Sequence, residues 1–256
     1  MALASSAPFR PALLVVDMQE DFCPPDGSLA VPGGRDIIPV INELLQLPFV
    51  LKIATKDHHP QDHVSFASNH PGATPFVSSC TITNPANPAE TYETRLWPDH
   101  CVVGTPGNAL VPELDACAVD AVVLKGTDPR VEMYSAFRSP LRSPPLASAV
   151  SELEGRLRAA EVTDVFVVGL AGDYCVKCTA LDAAELGYRT YVVEDAVRSV
   201  GGDAAWAETV AEVKKAGVQA VRATGQEVKR VKARGNILFG NSHRIGFLYI
   251  TMQLFS

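Results

Sequence analysis

The sequence lacks any apolar run long enough to cross a membrane. A transmembrane helix needs roughly 20 consecutive apolar residues, and no stretch of this chain approaches that length. Features of a secretory signal peptide are also missing, because residues 1–6 contain no Lys or Arg and the apolar run over residues 12–16 is too short. We therefore expect no membrane association.

Positive charge and cysteine are both sparse. Lysine and arginine total 22 against 29 acidic residues, the formal net charge is −7, and no stretch rich in Lys or Arg precedes residue 229. This charge pattern argues against a nucleic-acid partner. Six cysteines in 256 residues are too few for the disulfide framework of a secreted protein. We expect a reducing compartment, the cytoplasm first, with the nucleus and the peroxisome left open. Cysteines there are structural, metal-binding or catalytic.

What the sequence does contain is an alternation of apolar strands and amphipathic helices. Such alternation predicts a parallel sheet with helices on both faces. The predicted fold class is α/β, a Rossmann-like three-layer αβα arrangement around a six-stranded parallel sheet. The predicted strands cover residues 11–16, 49–55, 118–124, 165–169, 189–193 and 218–221. The predicted helices cover residues 37–47, 108–115, 146–160 and 203–216, and another starts near residue 175 and stops at Gly187.

Two parts of the chain depart from this alternation. Residues 60–105 are dense in Pro, Asn, Ser and Thr, and a loop of that length in a compact domain is usually functional. The pattern breaks again after Thr224, where the predicted sheet is already complete. We therefore predict one domain over residues 11–228 and a tail over residues 229–256 whose structure the sequence does not determine.

Cys175 lies where the fourth predicted strand gives way to a helix. The amino end of a helix offers free N–H groups and a partial positive charge, which favour a thiolate over a thiol. The alternative is a buried cysteine that packs the helix on the sheet, and this stretch alone favours packing. The pair Cys175 and Cys178 is only a weak indication of a redox or zinc motif, so we interpret Cys178 as a packing residue.

Reactive side chains follow four of the predicted strands. Asp17 ends the first strand, Asp57 and His59 follow the second, Lys125 ends the third, and Cys175 follows the fourth. Each alone could simply mark where the chain meets water. Together they lie on the edge of a parallel sheet that usually binds ligands, the carboxyl ends of the strands.

Asp57 and His59 would form half of a metal site, because residues two apart in an extended chain point to the same side. His100, in the long loop, could add a third ligand and leave positions open for water or substrate. His58, His63 and His70 are rival ligands, and a solvated loop is an equally good interpretation of the spacing.

Five segments, taken in order, resemble the isochorismatase-like cysteine hydrolases, and within them the nicotinamidases. The segments are residues 13–22 (LLVVDMQEDF), 55–60 (TKDHHP), 96–101 (LWPDHC), 123–126 (VLKG) and 169–176 (GLAGDYCV). The resemblance covers roughly residues 11–228. It implies a hydrolase that cleaves the linear amide bond of nicotinamide, a small-molecule substrate, through a thioester. It also implies a role in NAD salvage and, often, self-association.

The resemblance also implies specific roles for residues. Asp17, Lys125 and Cys175 would form the catalytic triad, and Asp57, His59 and His100 would bind Zn²⁺ or another divalent metal. The N–H groups of Ala171 and Cys175 would form the oxyanion hole, with a cis peptide before Ala171. Phe22, Trp97 and Tyr134 would line the substrate pocket. One departure is His58, since the family often has Trp at that position; we expect His58 to face away from the metal.

Other functions stay open on the sequence alone. A related amidase could act on pyrazinamide or a carbamoyl compound, and the fold could also serve a protein that binds a ligand without catalysis. An isochorismatase proper does not need a cysteine nucleophile. A redox protein would use Cys175 and Cys178 as a pair.

Overall fold

The computed structural model describes residues 8–235 and contains a six-stranded parallel sheet, as predicted. The sheet strands are β1 (Pro11–Val16), β2 (Leu51–Asp57), β5 (Ala121–Lys125), β6 (Asp164–Leu170), β7 (Arg189–Arg198) and β8 (Gln219–Val221). Their order across the sheet is β5-β2-β1-β6-β7-β8. The chain moves outward from β1 in one direction and then returns to add β6 on the other side of β1. Parallel sheets form their ligand crevice where the strand order reverses in this way, here between β1 and β6.

Helices cover both faces of the sheet and account for the unbroken apolar strands. The helices are α1 (Ile38–Leu45), α2 (Leu153–Ala159), α3 (Lys177–Glu185), α4 (Gly202–Lys215) and α5 (residues 226–235). In β1, Leu13 and Val15 pack in one core cluster, while Leu14 and Val16 pack in the other. A strand buried on both faces has no polar side to expose. No helix within residues 8–235 combines the length and apolar character needed to span a bilayer.

The predicted long loop contains a hairpin that sequence reasoning missed. Strands β3 (Ser79–Asn84) and β4 (Asn87–Arg95) pair antiparallel and form a separate two-stranded sheet. Their pattern is mostly polar, because the hairpin buries only a few residues, such as Ile82 and Thr94. It therefore lacked the apolar signal of a strand.

The helix predicted over residues 108–115 is wrong. A single 3-10 turn spans Pro106–Asn108, and the chain beyond it is irregular. Pro112 explains the failure, since a proline disfavours helical backbone in the residue before it. The helix predicted from residue 146 begins only at Leu153, and the one predicted near Cys175 begins as a π-helical turn, Gly172–Val176.

Helix α5 crosses the limit at residue 228 that the sequence suggested for the domain. Val228 and Val231 are buried in the same core cluster as Leu13, so residues up to 235 pack with the sheet. The remaining part of the predicted tail, residues 236–256, lies outside the described residues.

We expect Val231→Ala to lower the free energy of unfolding by about 2 kcal/mol, because it removes two buried methyl groups and leaves a cavity. Urea denaturation would measure the change. Lys232→Ala, at the next and exposed position, should leave the midpoint nearly unchanged. Equal midpoints for Val231→Ala and the native chain would show that α5 does not contribute to the core.

Candidate active site

Three side chains meet at the carboxyl edge of the sheet: Asp17 after β1, Lys125 at the end of β5 and Cys175 after β6. The Lys125 ammonium Nζ lies 2.9 Å from Asp17 Oδ2 and 3.5 Å from Cys175 Sγ. Thr55 donates its hydroxyl hydrogen to Asp17 Oδ1 at 2.6 Å. Asp17, Lys125 and Cys175 are all at most 3% exposed. The structure thus brings together the predicted acid, lysine and thiol in a site shielded from bulk water.

The backbone around these groups is unusual. Asp17 (φ 51°) and Ala171 (φ 57°) both adopt left-handed conformations that non-glycine residues seldom take. The prediction of a cis peptide before Ala171 is wrong: among the described residues the cis bonds are Pro24–Pro25 and Ser143–Pro144. The chain turns at this point through the left-handed backbone of Ala171 instead, and then enters the π-helical turn that carries Cys175.

The Cys175 thiol does not behave as the helix start alone suggested. Burial raises its pKa well above the usual range and outweighs the opposite effect of Lys125. Burial also raises the pKa of Asp17, against the charge of Lys125. For Lys125, burial would lower the pKa, but Asp17 and Asp57 together raise it. The resting site therefore pairs a charged lysine with a protonated thiol and a carboxylate made more basic by burial.

Asp57, His59 and His100 converge beside this group. Their ligand atoms lie within 4.8 Å of one another, and Asp57 Oδ2 is 3.7 Å from His59 Nε2 and 4.0 Å from His100 Nε2. Each imidazole Nδ1 lies 2.8 Å from a backbone carbonyl oxygen, of Gly126 for His59 and of Pro98 for His100. A carbonyl only accepts, so each Nδ1 bears the hydrogen, and in the neutral ring each Nε2 then presents a lone pair. His59 Nε2 is buried without a hydrogen-bond partner, and this donor set fits a divalent metal ion.

The rival histidines are placed differently. His63 uses both ring nitrogens, 2.8 Å from Ser65 Oγ and 3.1 Å from the Val131 carbonyl oxygen, although it lies close to His59 and Glu132. His70 hydrogen-bonds the Val64 carbonyl. His58 faces Asn108, with Nδ1 3.1 Å from Oδ1, as expected for a side chain that points away from the ligand set.

An aromatic-walled cavity opens onto Cys175. The Trp97 indole N–H donates to the Tyr134 hydroxyl at 3.0 Å, and that hydroxyl also hydrogen-bonds Thr94 at 2.8 Å. The polar atoms of these walls thus satisfy one another, and the two rings also pack against the ring of Tyr174. The cavity is lined by the predicted Phe22, Trp97 and Tyr134, and also by Leu29, Tyr174, Val200 and Glu132.

Glu132 and Tyr174 are site residues that sequence reasoning missed. Glu132 is 2% exposed, and one of its carboxylate oxygens accepts the Met133 N–H at 2.8 Å. It lies in a stretch predicted only as loop, seven positions after Lys125, so its sequence context gave no signal. Tyr174 directly precedes Cys175 and its ring contacts that of Trp97, with 4.9 Å between centroids. Its place beside the nucleophile was the available clue.

Comparisons with known proteins identify the family to which the chain is similar. The Isochorismatase domain family matches residues 11–224. A nicotinamidase of Escherichia coli is 42% identical over 192 residues, which cover 74% of this chain and 83% of that protein. The yeast nicotinamidase bound to the inhibitor nicotinaldehyde superposes with a TM-score of 0.76 at 35% identity, covering 83% of this chain and 99% of that one. A pyrazinamidase of Pyrococcus horikoshii in complex with zinc gives a TM-score of 0.63 at 34% identity, with coverage of 83% and 99%.

The raised pKa of the Cys175 thiol predicts how its alkylation depends on pH. In metal-free protein, we expect the iodoacetamide rate at Cys175 to climb about tenfold per pH unit through neutral pH, because only the small thiolate fraction reacts. Mass spectrometry of the Cys175 peptide would give the rate, and the exposed Cys117 would report on the reagent in the same sample. A rate already constant by pH 7 would reveal a resting thiolate and contradict this assignment.

Proposed function

The chain belongs to the isochorismatase family and is a hydrolase acting on amide bonds, and from this we propose that it hydrolyses nicotinamide to nicotinate and ammonia. The observation that supports the proposal most is the contact of one lysine with both Asp17 and Cys175 at the floor of an aromatic-walled cavity. A carboxylate and a thiol that both contact one lysine suit covalent amide hydrolysis. The product acid would enter NAD salvage.

The first half of the proposed reaction makes a thioester. Asp17 accepts the thiol proton as the Cys175 sulfur attacks the carboxamide carbon, which avoids a resting thiolate in a buried site. Lys125 stabilises the carboxylate and the developing thiolate from its position between them. The N–H groups of Ala171 and Cys175 are proposed to hold the oxyanion. Collapse of the tetrahedral intermediate breaks the C–N bond, and Asp17 passes its proton to the departing ammonia.

The second half releases the acid. A water molecule attacks the thioester carbon and Asp17 accepts its proton. The C–S bond then breaks, and Asp17 passes the proton to the leaving sulfur, which restores the thiol and the Asp17 carboxylate. One amide and one water thus give one carboxylic acid and one ammonia. The same carboxylate serves both halves in turn, which its basic character in this buried site favours.

Asp57, His59 and His100 are proposed to hold a zinc ion. When bound, zinc would supply an open coordination position for the ring nitrogen of the substrate and so orient the amide over Cys175. The proposal of zinc in place of another divalent metal is supported by the zinc complex of the similar Pyrococcus pyrazinamidase. Phe22, Trp97 and Tyr134 would stack on the ring and limit the cavity to flat substrates.

A second candidate substrate is pyrazinamide, because the same Pyrococcus protein is a pyrazinamidase. Both substrates carry a ring nitrogen meta to the carboxamide, so the proposed site would accept either. Self-association, which the family resemblance implied, stays a prediction.

The central test is ammonia release from nicotinamide. We expect the zinc-loaded native chain to release ammonia and Cys175→Ala to lose about three orders of magnitude or more, because the nucleophile is gone. Zinc content should be unchanged in the variant. Cys178→Ala is the matched control and should keep the native rate.

The substrate panel separates the alternatives. Benzamide, which lacks the ring nitrogen, should react far more slowly than nicotinamide or pyrazinamide. Ammonia release from a carbamoyl compound but not from nicotinamide would support an amidase and rule out nicotinamide as its substrate. No release from any amide by zinc-loaded protein would favour a binding protein on this fold, and full activity of Cys175→Ala would refute the proposed nucleophile.

Metal removal gives an independent prediction. After dialysis against a strong chelator we expect ammonia release to fall at least about tenfold and to return on adding zinc, because substrate orientation is lost and regained. The ammonia release of His100→Ala should not recover when equimolar zinc is added. His70→Ala, whose ring bonds only a backbone carbonyl, should behave like the native chain. An undiminished rate in metal-free protein would contradict the metal assignment.

A further inference from the structure

Residues 17–22, the segment that follows β1, contact both the acid and lysine group and the segments that carry the metal-type ligands. Asp17 belongs to the acid and lysine group, and Phe22 lies against His100 with 5.4 Å between ring centroids. Between them, Gln19 and Asp21 direct buried polar contacts to the two segments that carry the metal-type ligands. Asp21 Oδ2 accepts the N–H of Cys101, the residue after His100, at 2.6 Å.

Gln19 hydrogen-bonds both backbone groups of Asp57. Its Oε1 accepts the Asp57 N–H at 2.8 Å, and its Nε2 donates to the Asp57 carbonyl oxygen at 2.9 Å. The same Nε2 also donates to the carbonyl oxygen of Asn108 at 3.1 Å. Gln19 is fully buried, so water does not compete for these bonds. The Gln19 side-chain amide thus makes the hydrogen bonds to the Asp57 backbone that a neighbouring strand would make, because β1 does not extend to Asp57.

Asn108 completes the connection. Its Nδ2 donates to the carbonyl oxygens of Asp57 at 2.7 Å and Cys101 at 2.8 Å, and its Oδ1 faces His58. One buried amide therefore ties the chain at Asp57 to the chain next to His100. These two chain segments are far apart in the sequence and also meet in a short parallel bridge, in which the His59 N–H donates to the Cys101 carbonyl oxygen at 3.2 Å and the Val103 N–H donates to the His59 carbonyl oxygen at 2.9 Å. The buried side-chain bonds of Asn108 extend this bridge to Asp57 and help to fix the separation of the two segments.

We propose that Gln19 and Asn108 are positioning residues for the metal site, which hold the Asp57 and His100 segments at the separation that zinc requires and in register with Asp17. The inference rests on the proposed metal role of Asp57, His59 and His100. Neither amide reaches into the ligand set or the cavity; both act through the backbone of the residues that do. Outer groups that orient metal ligands typically contribute about 10–100-fold to metal affinity.

The test compares two buried asparagines. Asn108→Ser should weaken zinc binding about 10–100-fold, measured by competition with a chromophoric chelator. Asn84→Ser is the matched control: Asn84 is buried and its side chain bonds the Pro144 carbonyl, Glu90 and the Ala86 N–H, but it lies at the end of β3 in the hairpin. It should lose stability by a similar amount and keep native zinc affinity.

Two further readouts separate positioning from general damage. The pH dependence of Cys175 alkylation in metal-free Asn108→Ser should match the native profile, because the triad is not altered. Ammonia release by this variant should recover as zinc concentration is raised.

If Asn108→Ser does not fold, Gln19→Glu is the second variant. It keeps the acceptor for the Asp57 N–H, loses the amide N–H donors, and should also weaken zinc binding.

Native zinc affinity in the folded variants, or an equal loss in Asn84→Ser, would overturn the proposal. Chelator competition needs no substrate, so the result stands whether or not nicotinamide is hydrolysed. If the native chain itself bound no zinc, the proposed metal site would fail, and this inference would fail with it. Absence of hydrolysis with normal zinc affinity would count only against the proposed reaction.

Discussion

Lys125 carries a fully buried ammonium group, and the arrangement of the active centre depends on it. The ammonium pairs with Asp17 after β1 and with Asp57 at the end of β2, and it also contacts the thiol that follows β6. Removing one partner of a buried ion pair costs about 3–5 kcal/mol, because the charge left behind has no compensation. The lysine therefore sets the distance between the acid and the first metal-type ligand. The contact of Lys125 with Cys175 also places the positive charge next to the sulfur.

The strand order explains why these groups can meet at all. β1 lies between β2 and β6, and β5 lies on the far side of β2. The carboxyl ends of four strands that are distant in sequence thus form one continuous edge. Gly169 allows the tight approach of β6 to β1, because a Cβ there would lie 2.0 Å from the Val16 carbonyl oxygen. Asp17 and Ala171, which follow β1 and β6 in left-handed backbone conformations, then turn the chain out of the sheet toward the cavity.

The sequence predicted those parts of the site that lie directly at strand ends. Asp17, Asp57, Lys125 and Cys175 each follow an apolar run, and a parallel sheet places such ends together, so periodicity and topology predicted that these residues lie close together. Their individual roles were predicted only from the family resemblance. Other parts depend on tertiary contacts with no local signal. Gln19 and Asn108 meet across 89 positions, and Glu132 enters the cavity from a loop. Likewise, α5 becomes recognisable only when Val228 and Val231 are seen against the sheet.

The balance of charge links the triad to the metal site. Asp57 and Glu132 are buried carboxyl groups that line the cavity, and Asp17 is a third buried carboxyl group beside Lys125. Within residues 8–235 Glu132 has no Lys or Arg partner. Lys125 can compensate only one of the charges that these groups carry when ionised. Burying uncompensated charge is costly, whereas a divalent cation at the Asp57, His59 and His100 set would offset the remaining two. His59 Nε2, which is buried without a hydrogen-bond partner, belongs to this same set of ligand atoms. The carboxylates of the proposed reaction would therefore be stabilised in their ionised form when a divalent ion is held next to them, which is a physical reason to expect a metal ion beside the proposed cysteine nucleophile.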